Sequence, residues 1–266
     1  MLCVEANSSF LWDAELRPGN AGVWEASPVL LDTCFANVPP EIRELRFRAD
    51  AGFGYDPVLR KLEEHASEFA VVARLTAPLR RLLGGLRYER ANARWECAEE
   101  EYRGHGWPKA RRIVVARRLI NDNDAQATLF AMGRYLYRAW VTNMALTPAG
   151  LWHFYDGRAA IEPRIRELRE DFALRKIPTG SFEANALYLE VIRLAYNLVT
   201  AFQRTCLPEA WQSYTLQKLR FTLFLLPGEV TRPQNRPTLR LKDSPAIQRL
   251  SQEILAKVAK ITPLLG

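Results

Sequence analysis

The alternation of apolar and polar positions predicts a strand–helix order early in the chain. Leu11–Leu16 reads as a short strand, closed by the turn signal Arg17-Pro18-Gly19-Asn20. Ser27–Phe35 predicts a helix that stops before Pro39-Pro40. From Leu45 to Asp50 the pattern has period two: Leu45, Phe47 and Ala49 face one way, Arg46, Arg48 and Asp50 the other. Gly52 and Gly54 break that strand just after Asp50. Pro57–His65 predicts a helix with proline near its start. Phe69–Ala73 is a continuous apolar run, as in a strand buried on both faces. Strand, helix, strand in this order predicts an α/β sheet.

The middle of the chain changes character. Gly84-Gly85, Trp95, Gly104, Gly106 and Trp107-Pro108 interrupt short strand-like pieces such as Arg111–Ala116, which predicts a β-rich insertion. Tyr135–Met144 predicts another strand. From Thr147 onward the pattern turns helical. Phe182–Cys206 is apolar on most sides and predicts a largely buried helix. Pro227, Pro233, Pro237 and Pro245 predict a loop, and a last amphipathic helix runs from about Pro245 to Ile261.

Charge sharpens this picture. The chain of 266 residues carries a formal net charge of +7. Arg74 to Arg118 holds twelve Lys or Arg against five Glu, so this one stretch accounts for the whole excess. Concentrated positive charge points to a polyanionic partner, nucleic acid first, or else to a solvated surface. No apolar run is long enough to span a membrane, and the first ten residues lack a basic cluster, so neither a membrane span nor a signal peptide is expected. Cys3, Cys34, Cys97 and Cys206 form no CxxC pair, and isolated thiols suit a reducing cytoplasm. His65, His105 and His153 have no metal-ligand spacing. No GxxxxGK[ST] or GxGxxG element follows a strand, so no nucleotide cofactor is expected. Ser181 and Ser213 lack the context of a nucleophile elbow.

Two places carry candidate chemistry. Asp50 stands at a strand end before a glycine-containing turn, where it is either a turn-capping residue or a ligand. Tyr155, Arg158, Glu162 and Arg169 are spaced by 3, 4 and 7, which would put them on one face of a continuous helix. Such a stripe is either a phosphate- and metal-binding face or a solvated face laced with ion pairs such as Arg158–Glu162. Pro163 kinks that helix, or the helix begins anew near Glu162.

The segment Phe154-Tyr155-Asp156-Gly157-Arg158-Ala159-Ala160-Ile161-Glu162 through Arg169 resembles the Y-x2-R-x3-E-x6-K motif of DDE transposases of bacterial insertion sequences. Phe47-Arg48-Ala49-Asp50-Ala51-Gly52-Phe53 resembles the strand that carries the second acid in that group, and Leu16-Arg17-Pro18-Gly19-Asn20 the turn before it. The resemblance implies an α/β fold with an RNase H-like mixed sheet flanked by helices, and a β-rich insertion before the last catalytic helix. It implies a partial RNase H-like core over 1–73, the basic insertion over 74–146, completion of the core over 147–226, and a Pro-rich loop with the C-terminal helix over 227–266.

The same resemblance makes Asp50 and Glu162 catalytic metal ligands for two Mg²⁺ or Mn²⁺ ions. Hard cations prefer carboxylate oxygen, and a metal pair stabilises the attacking and leaving oxygens of an in-line displacement at phosphorus. Tyr155, Arg158 and Arg169 would contact DNA phosphates, guanidinium forks being suited to them. Arg169 stands where the motif has lysine. The implied partners are double-stranded DNA, both transposon ends and target, and a second copy of the chain. The family's first catalytic aspartate has no counterpart: Asp13 and Asp32 are the only aspartates before Asp50, and neither has its context. The expectation is therefore an amino-terminally truncated, inactive copy with an exposed strand edge, the alternative being a non-catalytic DNA-binding protein that interferes with a transposase. Trp95 and Trp107 in the basic stretch are either packed side chains or platforms for an unstacked base; Trp140 and Trp152 are expected in the core.

Overall fold

The computed structural model describes residues 1–65, 67–120, 131–225, 228–241 and 244–261. Strands β1 (Leu2–Val4) and β2 (Leu11–Ala14) come first, then helix α1 (Val23–Ala36), strand β3 (Arg46–Ala49), helix α2 (Asp56–Glu64) and strand β4 (Glu68–Val72). Helix α3 (Ala77–Gly85) precedes strands β5 (Glu89–Arg90), β6 (Glu96–Tyr102), β7 (Arg111–Leu119), β8 (Ala131–Met132) and β9 (Tyr135–Thr142). Helices α4 (Pro148–Asp156), α5 (Ile161–Glu170), α6 (Phe182–Cys206) and α7 (Leu216–Leu219) follow. The chain continues with strands β10 (Gly228–Thr231) and β11 (Thr238–Leu241) and helix α8 (Pro245–Ile261). None of the described helices is long and apolar enough to cross a membrane. The chain divides into two compact units: Arg17–Ala160 with Met1, and Leu2–Leu16 with Ile161–Gly266.

The first unit is built on a mixed sheet of order β3-β4-β9-β7-β6-β5, with β8 added on β9. Only β3 and β4 run parallel; β4 pairs antiparallel with β9, bringing Val71 opposite Val141. The period-two pattern decides what each face buries. Phe69, Val71, Ile113, Val115, Ala139 and Val141 pack with Leu31 of α1, Leu59 and Leu62 of α2 and Leu79 and Leu83 of α3. Ala70, Val114, Ala116 and Trp140 point the other way, onto Leu151 and Trp152 of α4. Strand β4 thus has covers on both faces, as its unbroken apolar run implies. Each fully buried Leu or Phe contributes about 1.5–3 kcal/mol.

The stretch read as β-rich begins instead with α3. Pro78 sits in its first turn, where no amide is needed, and Leu79, Leu82 and Leu83 line one side while Arg80 and Arg81 take the other. Gly84-Gly85, read as an interruption, close its last turn.

In the second unit, hairpin β1–β2 packs on α6, with Leu11 and Ala14 against Leu189, Ile192 and Tyr196. The Asn197 side chain clamps Leu11: Oδ1 accepts its amide and Nδ2 donates to its carbonyl, both at 2.9 Å. The Glu167 carboxylate on α5 accepts the Leu216 amide at 2.8 Å, and Asp171, just past the end of that helix, accepts that of Gln217 at 2.9 Å, so two acids satisfy amides that have no partner within α7. Helix α6 departs from expectation. It is buried on one side only; Leu187, Val191, Leu194 and Leu198 are exposed on another. The region read as a proline-marked loop contains the β10–β11 ribbon, in which Val230 faces Leu239. Its turn holds Pro233 and Pro237, with Gln234 and Asn235 at positive φ.

Candidate functional site

Asp50 follows the last residue of β3, at the carboxyl end of the parallel β3–β4 pair, where ligand sites of α/β sheets gather. Its Oδ1 accepts the Gly52 amide at 2.9 Å and caps the 3-10 turn Ala51–Phe53, so the turn-capping role is real; the residue is also exposed. Gly54 lets the chain leave that turn, because a Cβ there would lie 2.9 Å from the Val72 carbonyl oxygen of β4. Phe53 meets Phe47 edge to face at 6.3 Å, which fixes the turn against β3.

Two residues earlier, Arg48 reaches α4. Its Nη1 donates to the Phe154 carbonyl at 2.8 Å and its guanidinium lies over the Phe154 ring at 4.9 Å. Burial lowers the pKa of this arginine, and the neighbouring Tyr155 acts to raise it. The Tyr155 ring itself lies 5.5 Å from that of Trp140. Arg48 was visible in the sequence only as one of three residues alternating onto Asp50's face, a signal that does not single it out. A Cβ at Gly157 would meet the Arg48 guanidinium, which would have to shift to admit it.

The stripe of four does not lie on one helix. Tyr155 belongs to α4, a 3-10 turn spans Gly157–Ala160, and a new helix, α5, begins at Ile161. Pro163 sits in the first turn of α5, where its missing amide has no intrahelical role, so the restart is the cheaper arrangement. The side chain of Arg158 lies outside the described residues. Glu162 and Arg169, seven positions apart on α5, share a face and are both exposed. Asp50 and Tyr155 are in the first unit, Glu162 and Arg169 in the second.

The family profile described as "Transposase DDE domain group 1" matches residues 3–263. The chain belongs to that family. No curated protein matches it.

A transposase domain acts on DNA, and DDE transposases generally use divalent metal ions. Asp50 and Glu162 have the oxygen donors and the exposure a hard cation asks for. Yet among the described residues no group of three or more His, Cys, Asp or Glu side chains is placed to hold a metal ion. Asp50, in the first unit, and Glu162, in the second, would each offer one carboxylate.

In the basic stretch of the transposase domain, Trp95 gathers aromatic and cationic neighbours. Trp95 packs at 4.7 Å from Trp152, and the guanidiniums of Arg118 and Arg138 lie 5.5 and 5.6 Å from its ring. Arg138 also pairs with Asp156 at 3.7 Å. Trp107 is a packing residue: Tyr102 meets its ring at 5.9 Å, Arg111 lies over it at 5.0 Å, and a Cβ at Gly104 would lie 2.8 Å from it. Trp140 and Trp152 are buried.

Proposed function

We propose that this chain is a DDE transposase domain that holds transposon-end and target DNA and is inactive as a strand-cleaving enzyme. The family match over residues 3–263 carries the first half of that reading. The supply of acids supports the second. By motif, residues 1–266 offer two of the family's acids, Asp50 and Glu162, and neither Asp13 nor Asp32 has the context of the first.

In this reading residues 1–73 belong to an RNase H-like core, 74–146 to a basic insertion, 147–226 complete the core, and 227–266 close the chain. Asp50 and Glu162 occupy two of the family's three ligand positions, and Tyr155, Arg158 and Arg169 face DNA phosphate. Phosphoryl transfer in the family draws on the metal pair. Asp50 and Glu162 would each offer a carboxylate to those ions, and no cleavage step is routed through them. What its own residues do is bind: Arg169, one face with Glu162, offers a two-pronged donor to a phosphate.

A second reading, a non-catalytic DNA-binding protein that interferes with an active transposase, is favoured by the two arginines over Trp95. Nicking of supercoiled plasmid by the purified chain, with Mg²⁺ or Mn²⁺, tests the proposal. No nicking above the protein-free control, with DNA still bound, is the expected result. Metal-dependent nicking that disappears in Glu162→Ala would show a complete site and overturn the inactive reading.

A further inference from the structure

The buried face of α6 changes character along its length. Leu189 and Ile192 are apolar, but Tyr196, Thr200 and Gln203 then bring a phenol, a hydroxyl and an amide to the same side, at 2, 7 and 7% exposure. An interior polar group is costly unless it is hydrogen-bonded. Gln203 is satisfied, its Nε2 donating to the Tyr214 carbonyl at 2.6 Å. Tyr196 is not. Its ring meets Phe172 edge to face at 5.3 Å, but its hydroxyl has no hydrogen-bond partner among the described residues.

Tyr196 lines a cavity of about 40 Å³ that lies within the second unit. Arg164 and Glu167 of α5, Thr200 and Arg204 of α6, and Ser8 and Ser9 of the β1–β2 loop share that lining. A water needs about 10–15 Å³ of such space, so the cavity takes about three waters, or one compact ion of about five heavy atoms. Arg204 and Gln212, the exposed members of the lining, place its mouth beside the carboxyl end of α6.

The chemistry of the lining selects a class of ligand. Two guanidiniums stand against one carboxylate, so the lining is net positive. That carboxylate is already engaged: Glu167 accepts the Leu216 amide at 2.8 Å and lies 3.6 Å from Arg164. A guanidinium has five donors, and the protein uses only some of them here. Arg164 Nη2 donates to Ser9 Oγ at 3.2 Å, and Arg204 Nη1 to the Asn7 and Ser8 carbonyls at 3.1 and 3.3 Å. Burial raises the pKa of the Tyr196 phenol, with Arg164 and Thr200 acting to lower it, so at neutral pH the phenol remains a donor. A small, donor-rich and net positive recess suits an oxyanion, whose oxygens guanidinium donors match.

We propose that this cavity binds a free oxyanion of phosphate size, held by Arg164, Arg204 and the Tyr196 hydroxyl. The bound ion bridges the β1–β2 loop, α5 and α6, and stabilises the second unit increasingly as its concentration rises.

Isothermal titration calorimetry of the full chain with inorganic phosphate, against chloride at matched ionic strength, tests this. The expected result is one saturable site with a dissociation constant on the order of 0.1–1 mM. Binding should weaken about tenfold or more in Tyr196→Phe, which keeps the ring on Phe172, and likewise in Arg164→Gln. Thermal unfolding in chloride checks that each variant is folded. No saturable heat with the wild type, the mark of a cavity filled by water alone, overturns the proposal. Undiminished binding by either folded variant also overturns it, because the ion then sits elsewhere. A third overturning result is displacement of phosphate by a DNA strand with a terminal phosphate but not by the same strand without it, which makes a strand end the ligand rather than a free ion.

Discussion

Arg111 on β7 grips Glu63 on α2 with two nitrogens, Nε at 2.8 Å and Nη2 at 3.2 Å, while its Nη1 holds Asp56 at 2.8 Å. The guanidinium is almost fully enclosed, its side chain 3% exposed, and its two acids are at 13 and 21%. Lys109 adds a second cation on Glu63 at 2.9 Å. This cluster ties the helix that follows Asp50 to the central strands of the sheet.

Removing that arginine leaves Glu63 with Lys109 and Asp56 with Arg60, each at 2.9 Å, but empties the enclosed position between the two acids. Arg111→Ala is expected to destabilise the first unit by about 2–3 kcal/mol, somewhat below the loss from a fully orphaned buried pair because each acid keeps one cation. Urea denaturation followed by tryptophan fluorescence reads the change as a lower midpoint with an unaltered slope.

The same cluster sets an acid sensitivity. Burial pushes the Glu63 carboxyl up, but hydrogen bonds and charge from Arg111 and Lys109 outweigh it and leave the pKa below the ordinary glutamate value. The folded state therefore binds this proton less readily than the unfolded chain. The stabilisation is complete above the ordinary value, about 4.3, and is lost as pH falls below it through the folded pKa. Denaturation midpoints between pH 6 and pH 3 should fall more steeply in the wild type than in Glu63→Gln.

Glu167 behaves in the opposite sense. Burial raises its pKa, against the Leu216 amide and Arg164, which lower it. The folded state binds the proton more readily than the unfolded chain, so stability declines as pH rises from the ordinary glutamate value through the folded pKa. Glu167→Gln keeps an oxygen for the Leu216 amide and removes the charge. It should remove that decline and leave stability at pH 8 equal to or above the wild type, measured by thermal unfolding across pH.

The arginines beside Trp95 predict a salt signature. If Arg118 and Arg138 each meet a phosphate, Arg118→Ala and Arg138→Ala should each weaken binding to duplex DNA. Each should also lower the slope of log K against log salt by about 0.9, whatever the sequence. Trp107→Phe, altering a packed residue, should leave DNA affinity unchanged. Fluorescence anisotropy over a salt series separates these outcomes.

Much of the architecture was legible because burial imposes a period. The apolar run around Phe69–Ala73 announced a strand covered on both faces, the alternation before Asp50 announced β3, and Pro245–Ile261 announced α8. Helix α3 was obscured because its two glycines close the last turn rather than interrupt a strand. The β10–β11 ribbon was hidden because β10 buries no side chain and so leaves no apolar period. The second face of α6 misled for the converse reason: apolar side chains around a helix read as burial, whether or not the same chain supplies the cover. For the candidate site, Asp50 and Glu162 were singled out by motif, while Arg48 was not: its contact is with Phe154, 106 positions away in the chain.

The clamp between Asn197 and Leu11 joins residues 186 positions apart. A ribosome adds about 5–20 residues per second, so hairpin β1–β2 waits on the order of tens of seconds for the helix that covers it. Through that interval the whole of Arg17–Ala160 is made and free to fold. The second unit thus finishes last, and a chain stalled before α6 would display Leu11 uncovered to the cell's chaperones.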